Sequence, residues 1–373
     1  MKWGFWISAV LIGYAYVGYP MWLWLRSWWS PRPIRRGPFA PAVSAVMTVR
    51  NEEAVIAQKI ENLLALDYPA EKLEVVVVSD GSTDRTPAIL NEFAKSGRVQ
   101  VVVKEESRGK AVGLNDAIAK ARGEILLFTD ARQPIEPQAL RLLIENFADG
   151  EVGAASGELM LGDPASGETG KGMGLYWRIE KKIREMESVS GSVVGATGAI
   201  YCARRDLLDP LPEGTILDDV LLPMQVVRKG SRVIFDSRAW AWDSPDLGGS
   251  REFSRKVRTL SGNYQLVQLA PWLLSSQNSI RFEFISHKLM RLVVPFALLA
   301  LLITSMALSE PIYRAALAAQ LLFYALSLVA LSGFKIGPIS RIADPARTFV
   351  VLNSAALVAF VNFITGRKAV WVR

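Results

Sequence analysis

Apolar residues run in short uninterrupted blocks through the first third of the chain, and each block leads to polar residues and then to a helical pattern. The blocks predict four strands, at Val43–Val49, Leu73–Val78, Val99–Val103 and Glu124–Phe128. Continuous β-branched runs of this kind are typical of parallel strands that are buried on both faces. Strands that alternate with helices predict a doubly wound, nucleotide-binding α/β sheet.

The segments that follow these strands carry charged and small polar residues. They are Arg50–Glu53, Ser79–Asp84, Arg108–Lys110 and Thr129–Ala131. Ligands of open α/β sheets bind at the carboxyl ends of the strands, where Asp80 could accept hydrogen bonds from a ribose or a base. Gly81 permits the turn and a close approach of the backbone. The alternative is a plain turn in which Asp84 or Thr83 caps a helix at Thr86–Lys95.

Longer apolar stretches lie near the two ends of the chain, at Phe5–Leu25, Leu292–Leu308, Ile312–Leu331 and Phe349–Ile364. The first could cross roughly 30 Å of hydrocarbon at 1.5 Å per residue. No small-residue cleavage site follows it, which favours an anchor over a removed signal peptide. Four full spans would leave the basic tail at 366–373 on the outside. A re-entrant or interfacial segment at 334–348 is therefore the alternative.

Composition supports a membrane protein whose middle domain is cytoplasmic. The 373 residues are 50% hydrophobic with a net charge of +7, and the mean hydropathy is +0.21. Basic residues crowd the inner ends of the first two stretches, at Arg26, Arg32, Arg35, Arg36, His287, Lys288 and Arg291. Such flanks mark the cytoplasmic side, and they explain the charge through anionic lipid better than through nucleic acid. One Cys excludes an intramolecular disulfide, and one His with one Cys argues against structural zinc.

Carboxylates form two candidate sites in the middle domain. Asp130 ends the fourth strand, where it could bind a divalent ion shared with a diphosphate or could be an exposed turn residue. Asp218 and Asp219 precede a helix predicted to start near Val220. Either they cap that helix, or one of them is a general base that accepts the proton of an acceptor hydroxyl.

The rest of the middle domain is less regular. Val152–Leu161 predicts a strand and Leu175–Ser188 an amphipathic helix, while the Gly-rich stretch between them lacks P-loop spacing. The small residues of Gly191–Leu208 could leave room for an acceptor or could form a tight turn. Arg255 and Arg258, near Arg251 and Lys256, share a helix face. That pair suits a diphosphate, or else a basic face on anionic lipid.

In this order, the motifs make the chain resemble the membrane-bound family 2 glycosyltransferases. That branch includes the cellulose, chitin, hyaluronan and poly-N-acetylglucosamine synthases, and the resemblance runs from about Ala42 to the end, including the HKLMR segment. It implies an α/β fold of the GT-A, Rossmann-like type with flanking transmembrane helices. It also implies an inverting reaction with a nucleotide-diphosphate sugar, expected to be a UDP-sugar, and a lipid or glycan acceptor.

The resemblance also implies roles for individual residues. Glu52 and Asp80 match positions that hold the nucleoside, and Lys110 matches a lysine near the donor. Asp130 matches the first carboxylate of the DxD motif, which implies Mn²⁺ or Mg²⁺. Asp219 matches the catalytic base of the ED motif, with Asp218 in place of the family's Glu. Asp218 and Gly198 are expected on the acceptor side. Arg255 and Arg258 match the polar positions of the (Q/R)xxRW motif.

Two departures from the family pattern bear on function. Arg132 stands in place of the second DxD carboxylate, which weakens the case for a metal. Thr259 stands where the family often has Trp, which, with only four spans, argues against long-chain polymerisation. The expected function is therefore the addition of one or a few sugars. The alternatives are a processive polysaccharide synthase, a non-catalytic nucleotide-binding membrane protein and, less favoured, a nucleotidyltransferase.

The sequence divides into four parts. The expected boundaries are an anchor at 1–29, a Pro- and Arg-rich extended linker at 30–41, a cytoplasmic GT-A domain at 42–286 and a membrane region of about three helices at 287–373.

Overall fold

The computed structural model describes residues 1–162, 175–243, 249–331 and 337–367. Most of the Gly-rich stretch after Leu161, the first residues of the 334–348 segment and the end of the basic tail lie outside the described residues. So do the side chains of 249–251 and 337–342, which include Arg251.

The described residues form a seven-stranded sheet with the order β3-β2-β1-β4-β6-β5-β7. The strands are β1 (Val43–Val49), β2 (Leu73–Asp80), β3 (Val99–Lys104), β4 (Ile125–Phe128), β5 (Val152–Leu161), β6 (Tyr201–Arg204) and β7 (Arg232–Asp243). The first four pair in parallel, which confirms the doubly wound half that the apolar blocks predict. β6 runs antiparallel to both β4 and β5, so the second half of the sheet is mixed.

Helices cover both faces of this sheet. Those of the middle domain are α2 (Ile56–Leu64), α3 (Thr86–Ala94), α4 (Lys110–Lys120), α5 (Ala139–Ile144), α6 (Leu175–Ser190), α7 (Asp218–Arg228) and α8 (Gly249–Leu269). Two apolar clusters fill the space between the layers. One contains Met47 and Val77 beneath α2, and the other contains Val46 and Val76 beneath α4. Successive side chains of β1 thus point to opposite faces of the sheet, as the pleat requires.

Four described helices are long and apolar enough to cross a membrane. They are α1 (Lys2–Trp29), α9 (Arg281–Ala307), α10 (Pro311–Leu331) and the residues 343–364 of α11 (Gly337–Ile364). Each contains one of the predicted apolar stretches.

The first two of these helices meet beside the sheet domain. The Tyr14 hydroxyl lies 2.6 Å from the Ser286 hydroxyl, and Arg26 forms an ion pair with Glu283. At the far end of α1, the Lys2 ammonium lies 2.5 Å from a Glu310 carboxylate oxygen, beside the start of α10. The inner end of α1 and the beginning of α9 therefore face the sheet domain together.

The linker between α1 and β1 is extended, as its Pro and Arg content predicts, and it lies along the domain surface. Arg32 donates to Glu151 at 2.8 Å, and the Arg36 guanidinium donates to the Asn146 side chain at 2.9 Å. The backbone N–H of Arg35 donates to Asp149 at 3.1 Å. Its basic residues thus fasten the linker to the sheet domain.

Candidate active site

The SDGSTD turn after β2 organises the loop that precedes α4. The Asp80 carboxylate accepts hydrogen bonds from the Ser107 hydroxyl at 2.7 Å and from the backbone N–H groups of Arg108 and Gly109 at 2.9 and 2.8 Å. Gly81 has φ +62°, and a Cβ there would lie 2.4 Å from the Ser107 nitrogen, so only glycine fits. The backbone of Gly81 therefore lies close to the loop that contains Ser107. Asp80 as a nucleoside contact stays a prediction.

The end of β1 is tied to the same turn. Asn51 has φ +54°, a conformation that Asn tolerates, and its side-chain oxygen accepts from the Thr83 N–H at 2.8 Å. Asp84 accepts from the Thr86 N–H at 2.9 Å, as predicted for a capping residue. Glu52 pairs with Arg132, whose Nε lies 3.0 Å from the carboxylate. The arginine at the second DxD position therefore neutralises a predicted donor-site carboxylate.

Lys110 joins two of the predicted carboxylates at the start of α4. Its ammonium lies 2.9 Å from Asp130 Oδ1 and 3.2 Å from Asp218 Oδ2. Burial lowers the pKa of Lys110, but the charges of Asp130 and Asp218 outweigh it and raise that pKa above its usual value. Asp218 is buried, whereas Asp130 is 44% exposed at the mouth of the site.

Asp219 lies in the first turn of α7, which begins at Asp218, two residues earlier than the predicted start. Of the described residues, none hydrogen-bonds to the Asp219 carboxylate, although its backbone oxygen accepts from the Ala196 N–H at 2.7 Å. Burial and the neighbouring Asp218 raise the pKa of Asp219 to about 6, against the lowering effect of Lys110 and Lys288. A carboxylate with this pKa is ionised at neutral pH and has oxygens to offer a substrate proton.

Gly198 lies between the carboxylates of Asp219 and Asp130. A Cβ on Gly198 would lie 3.3 Å from Asp219 Oδ2 and 3.7 Å from Asp130 Oδ2, so both oxygens lie within 4 Å of one point. The loop that carries Gly198 therefore lies beside both carboxylates, and the absence of a side chain leaves space between a candidate base and a candidate metal ligand. Its role on the acceptor side stays a prediction.

The predicted basic pair lies on α8. Arg255 is exposed, with Nη2 3.6 Å from Asp243 at the end of β7. A Cβ on Gly262 would lie 2.6 Å from Leu217, so α8 packs directly against the residue before Asp218. Arg258 precedes Gly262 by one helical turn and lies on the same helix face. The packing thus brings the Arg258 turn toward α7.

A buried lysine that sequence reasoning missed lies beneath the site. The Lys59 ammonium donates to the Thr129 hydroxyl at 2.8 Å and to the Gln133 carbonyl at 2.5 Å. The Thr129 hydroxyl in turn donates to the Ala199 carbonyl at 2.8 Å. Burial lowers the pKa of Lys59 to about 7. These bonds connect the turn of Asp130 to the loop of Gly198.

The protein side chains alone do not build a metal centre. Within the described residues, no group of three or more His, Cys, Asp or Glu side chains is arranged to hold a metal ion. Asp130 offers one partly exposed carboxylate. Magnesium commonly accepts one or two carboxylates together with phosphate oxygens and water, so the residues fit a cation that arrives with a diphosphate.

Comparison with known proteins agrees with this fold and these motifs. The sheet and the apolar helices resemble "Mannosyltransferase PcManGT from Pyrobaculum calidifontis in complex with GDP-Man and Mn2+". The TM-score is 0.73, with 24% identity and coverage of 97% of this chain and 99% of that one. The fold class is therefore α/β of the GT-A type, with apolar helices flanking the domain, as predicted.

The family follows from the sequence match. Residues 44–211 match the family model described as "Glycosyl transferase family 2", so the chain carries a family 2 glycosyltransferase domain. A beta-monoglucosyldiacylglycerol synthase of Synechocystis sp. is 31% identical over 50% of this chain and 40% of its own length. A poly-beta-1,6-N-acetyl-D-glucosamine synthase of Staphylococcus epidermidis is 25% identical over 62% and 56%. The chain thus covers only about half the length of these curated relatives.

Proposed function

We propose that the protein transfers a sugar from a nucleotide-diphosphate sugar, with a UDP-sugar as the expected donor, to a lipid or glycan acceptor at the cytoplasmic face of a membrane. The observation that carries this proposal is the ionisable Asp219 carboxylate, which no described residue binds and which faces Asp130 across Gly198. The family 2 domain and the four apolar helices support the reaction type and the membrane setting.

In this mechanism Asp219 accepts the proton of the acceptor hydroxyl while the oxygen forms a bond to the anomeric carbon. The bond from that carbon to the diphosphate oxygen breaks, and its electron pair leaves with the nucleoside diphosphate. Attack from the opposite face inverts the anomeric configuration. Lys110, Arg255 and Arg258 stabilise the negative charge on the leaving group, and Glu52 and Asp80 hold the nucleoside side of the donor.

A divalent cation, Mn²⁺ or Mg²⁺, completes the proposal. Asp130 would hold it, and the cation would supply further positive charge to the diphosphate. Lys110 remains beside Asp130 and contributes the protein's own charge there, 2.9 Å from Oδ1.

The acceptor is proposed to receive one or a few sugars. Thr259 is exposed and its hydroxyl donates to the Arg255 carbonyl at 3.0 Å, so it presents no aromatic surface to a growing glycan. The domain division at 1–29, 30–41, 42–286 and 287–373 is part of the proposal, with the basic inner ends of the spans directing the catalytic domain inward.

The proposal is tested with detergent-purified full-length protein, native lipid extract and a panel of donor sugars, with Mn²⁺ or Mg²⁺ present. We expect nucleoside-diphosphate release from one donor by the wild type, and loss of that release in Asp219→Asn. The product anomer is read by NMR. Equal release by both proteins would contradict the base assignment, and a retained anomer would contradict inversion.

A further inference from the structure

A buried cluster of charged groups joins α6 to the first two spans. One oxygen of Glu187 accepts the Tyr19 hydroxyl at 2.6 Å and lies 2.7 Å from His287 Nδ1. Glu180 lies 2.8 Å from His287 Nε2 and, through its other oxygen, 2.8 Å from Arg291 Nη1. Glu187 and His287 are almost fully buried. We call these five residues the junction cluster.

The charges of the junction cluster balance within it. Each ring nitrogen of His287 faces a carboxylate oxygen, so an imidazolium with two N–H donors satisfies both. One imidazolium and one guanidinium, that of Arg291, then neutralise the two carboxylates. The junction cluster is therefore close to neutral as a whole.

Two cations beside the junction cluster lie within reach of the charges of Glu180 and Asp219 but pair directly with no described carboxylate. Arg184 donates to the Thr197 hydroxyl at 2.6 Å and to the Ser156 hydroxyl at 2.7 Å, both neutral. Lys288 is half-buried in a π-helical turn, Ile285–Leu289. Across the described ranges, neither side chain forms an ion pair. Burial lowers the pKa of Arg184, as expected for a desolvated cation.

Both cations lie near Asp219, on helices that belong to or pack against the first two spans. Arg184 holds Thr197, the residue before Gly198, and Gly198 lies against the Asp219 carboxylate. The charge of Lys288 reaches the same carboxylate and lowers the pKa of Asp219. Lys288 stands at the beginning of the second span, where a lipid headgroup would meet the domain.

We propose that Arg184 and Lys288 form an anion subsite that binds the phosphate of a membrane lipid acceptor and presents its hydroxyl to Asp219. The inference rests on the proposed function and narrows its acceptor class. A half-buried cation that forms no direct ion pair gains most from an anion that binds to it. Guanidinium and ammonium groups bind phosphate through charge-assisted hydrogen bonds.

The test uses the full chain, with the donor found in the panel, in phosphatidylcholine vesicles. One set contains phosphatidylglycerol, which has both a phosphate and hydroxyls. A second contains diacylglycerol, which has a hydroxyl and no phosphate, and a third arm adds soluble glycerol phosphate. We expect transfer to phosphatidylglycerol, with an apparent KM at least about tenfold below that of either alternative. Preference for diacylglycerol would overturn the subsite, and equal use of glycerol phosphate would overturn the lipid requirement.

Variants then assign the effect to the two cations. Lys288→Gln should raise the phosphatidylglycerol KM about tenfold, and Lys288→Arg should restore it. Because Lys288 lowers the pKa of Asp219, Lys288→Gln should also move the acidic limb of kcat to higher pH. Arg184→Lys should raise the phosphatidylglycerol KM less than Arg184→Gln does. The matched control is Lys182→Gln, an exposed cation on the same helix that pairs with Glu185.

The outcomes separate this inference from the proposed function. If the wild type transfers sugar but Lys288→Gln keeps its acceptor KM and pH profile, the subsite is wrong and the transferase stands. If Lys288→Gln raises the donor KM instead, Lys288 binds the donor diphosphate, and its assignment to the acceptor phosphate is wrong. If neither the wild type nor any variant releases nucleotide from any donor, the proposed function fails first.

Discussion

The donor edge and the membrane-facing side of the site are built in different ways. At the donor edge, charged groups are already paired: Lys110 with Asp130 and Asp218, and Arg132 with Glu52. On the membrane side, no described carboxylate pairs with Arg184 or Lys288, and no described residue binds the Asp219 carboxylate. The proposed donor edge is thus held by ion pairs, whereas the two cations on the other side are held by neutral groups and by longer-range charges.

The largest effect is expected at Asp219, where a substitution should lower kcat and leave donor affinity unchanged. Asp219→Asn should lower kcat roughly 10²- to 10⁴-fold, because the amide cannot accept the acceptor proton. Donor affinity measured by calorimetry should stay close to that of the wild type, since the donor edge is intact. Asp206→Asn, which changes an exposed carboxylate outside the proposed site, is the matched control. A loss of donor binding in Asp219→Asn would place Asp219 on the donor side.

Lowering the pH should reproduce the same effect reversibly. The pKa of Asp219 is raised to about 6, so the base is ionised above that pH and protonated below it. We expect kcat to fall about tenfold per pH unit below this value and to level off above it. A profile that stays flat down to pH 5 would contradict a general base at this position.

Asp80→Ala should break the donor edge alone. Its carboxylate accepts three hydrogen bonds from 107–109, and charge-assisted bonds of this kind are worth about 1.5–3 kcal/mol. We expect donor Kd to rise roughly 10- to 100-fold with a smaller change in acceptor KM. Ser107→Ala removes one of the three bonds and should have a smaller effect. Unchanged donor affinity in Asp80→Ala would refute this role.

Gly198→Ala should disturb the space between the two sides. The added methyl group would lie 3.3 Å from Asp219 Oδ2 and obstruct the acceptor hydroxyl. An extra carbon in a binding pocket typically costs about tenfold, which we expect in acceptor KM with donor Kd unchanged. Gly150→Ala, where no atom lies within 4 Å, is the control. Normal acceptor kinetics would mean that the acceptor approaches from elsewhere.

Lys59→Met should have the smallest effect on activity, and it should affect the donor edge and the membrane side together. Its loss frees the Asp130 turn from its buried anchor, but it also removes the cost of burying an ammonium group. We expect activity to fall less than about tenfold, with Tm within about 4 °C of the wild type. Lys95→Met, an exposed lysine paired with Glu92, is the control. A large drop in Tm would make Lys59 a purely structural residue.

The donor edge was largely predictable from sequence because local signals define it. Apolar blocks mark the strands, and the polar segment after each strand must lie at the same edge of a parallel sheet. β7 was missed although the residues 232–243 contain two apolar runs, at 233–235 and 239–242. The pairing of Arg132 with Glu52 was missed too, because an ion pair between residues 80 positions apart leaves no spacing pattern.

The membrane side could not be predicted in the same way. The contacts of Glu187 join residues 168 and 100 positions apart, from three different helices. Nothing in the local sequence distinguishes Glu187 from an exposed glutamate on the polar face of an amphipathic helix. Lys59 is a similar case, because a lysine on a helix is normally expected in solvent. Such groups become visible only when packing shows which charges are buried together.

The fastened linker has a consequence for which acceptors can be reached. A catalytic domain on a loose tether would sample many heights and tilts above the bilayer. Here Arg32, Arg35 and Arg36 bind the extended linker to the domain surface, and Arg26 pairs with Glu283 just before it. With the proposed membrane spans, the site is held at a fixed distance from the bilayer surface. Selection among acceptors would then depend on how far each molecule's reactive group projects from the lipid surface, as well as on its chemistry.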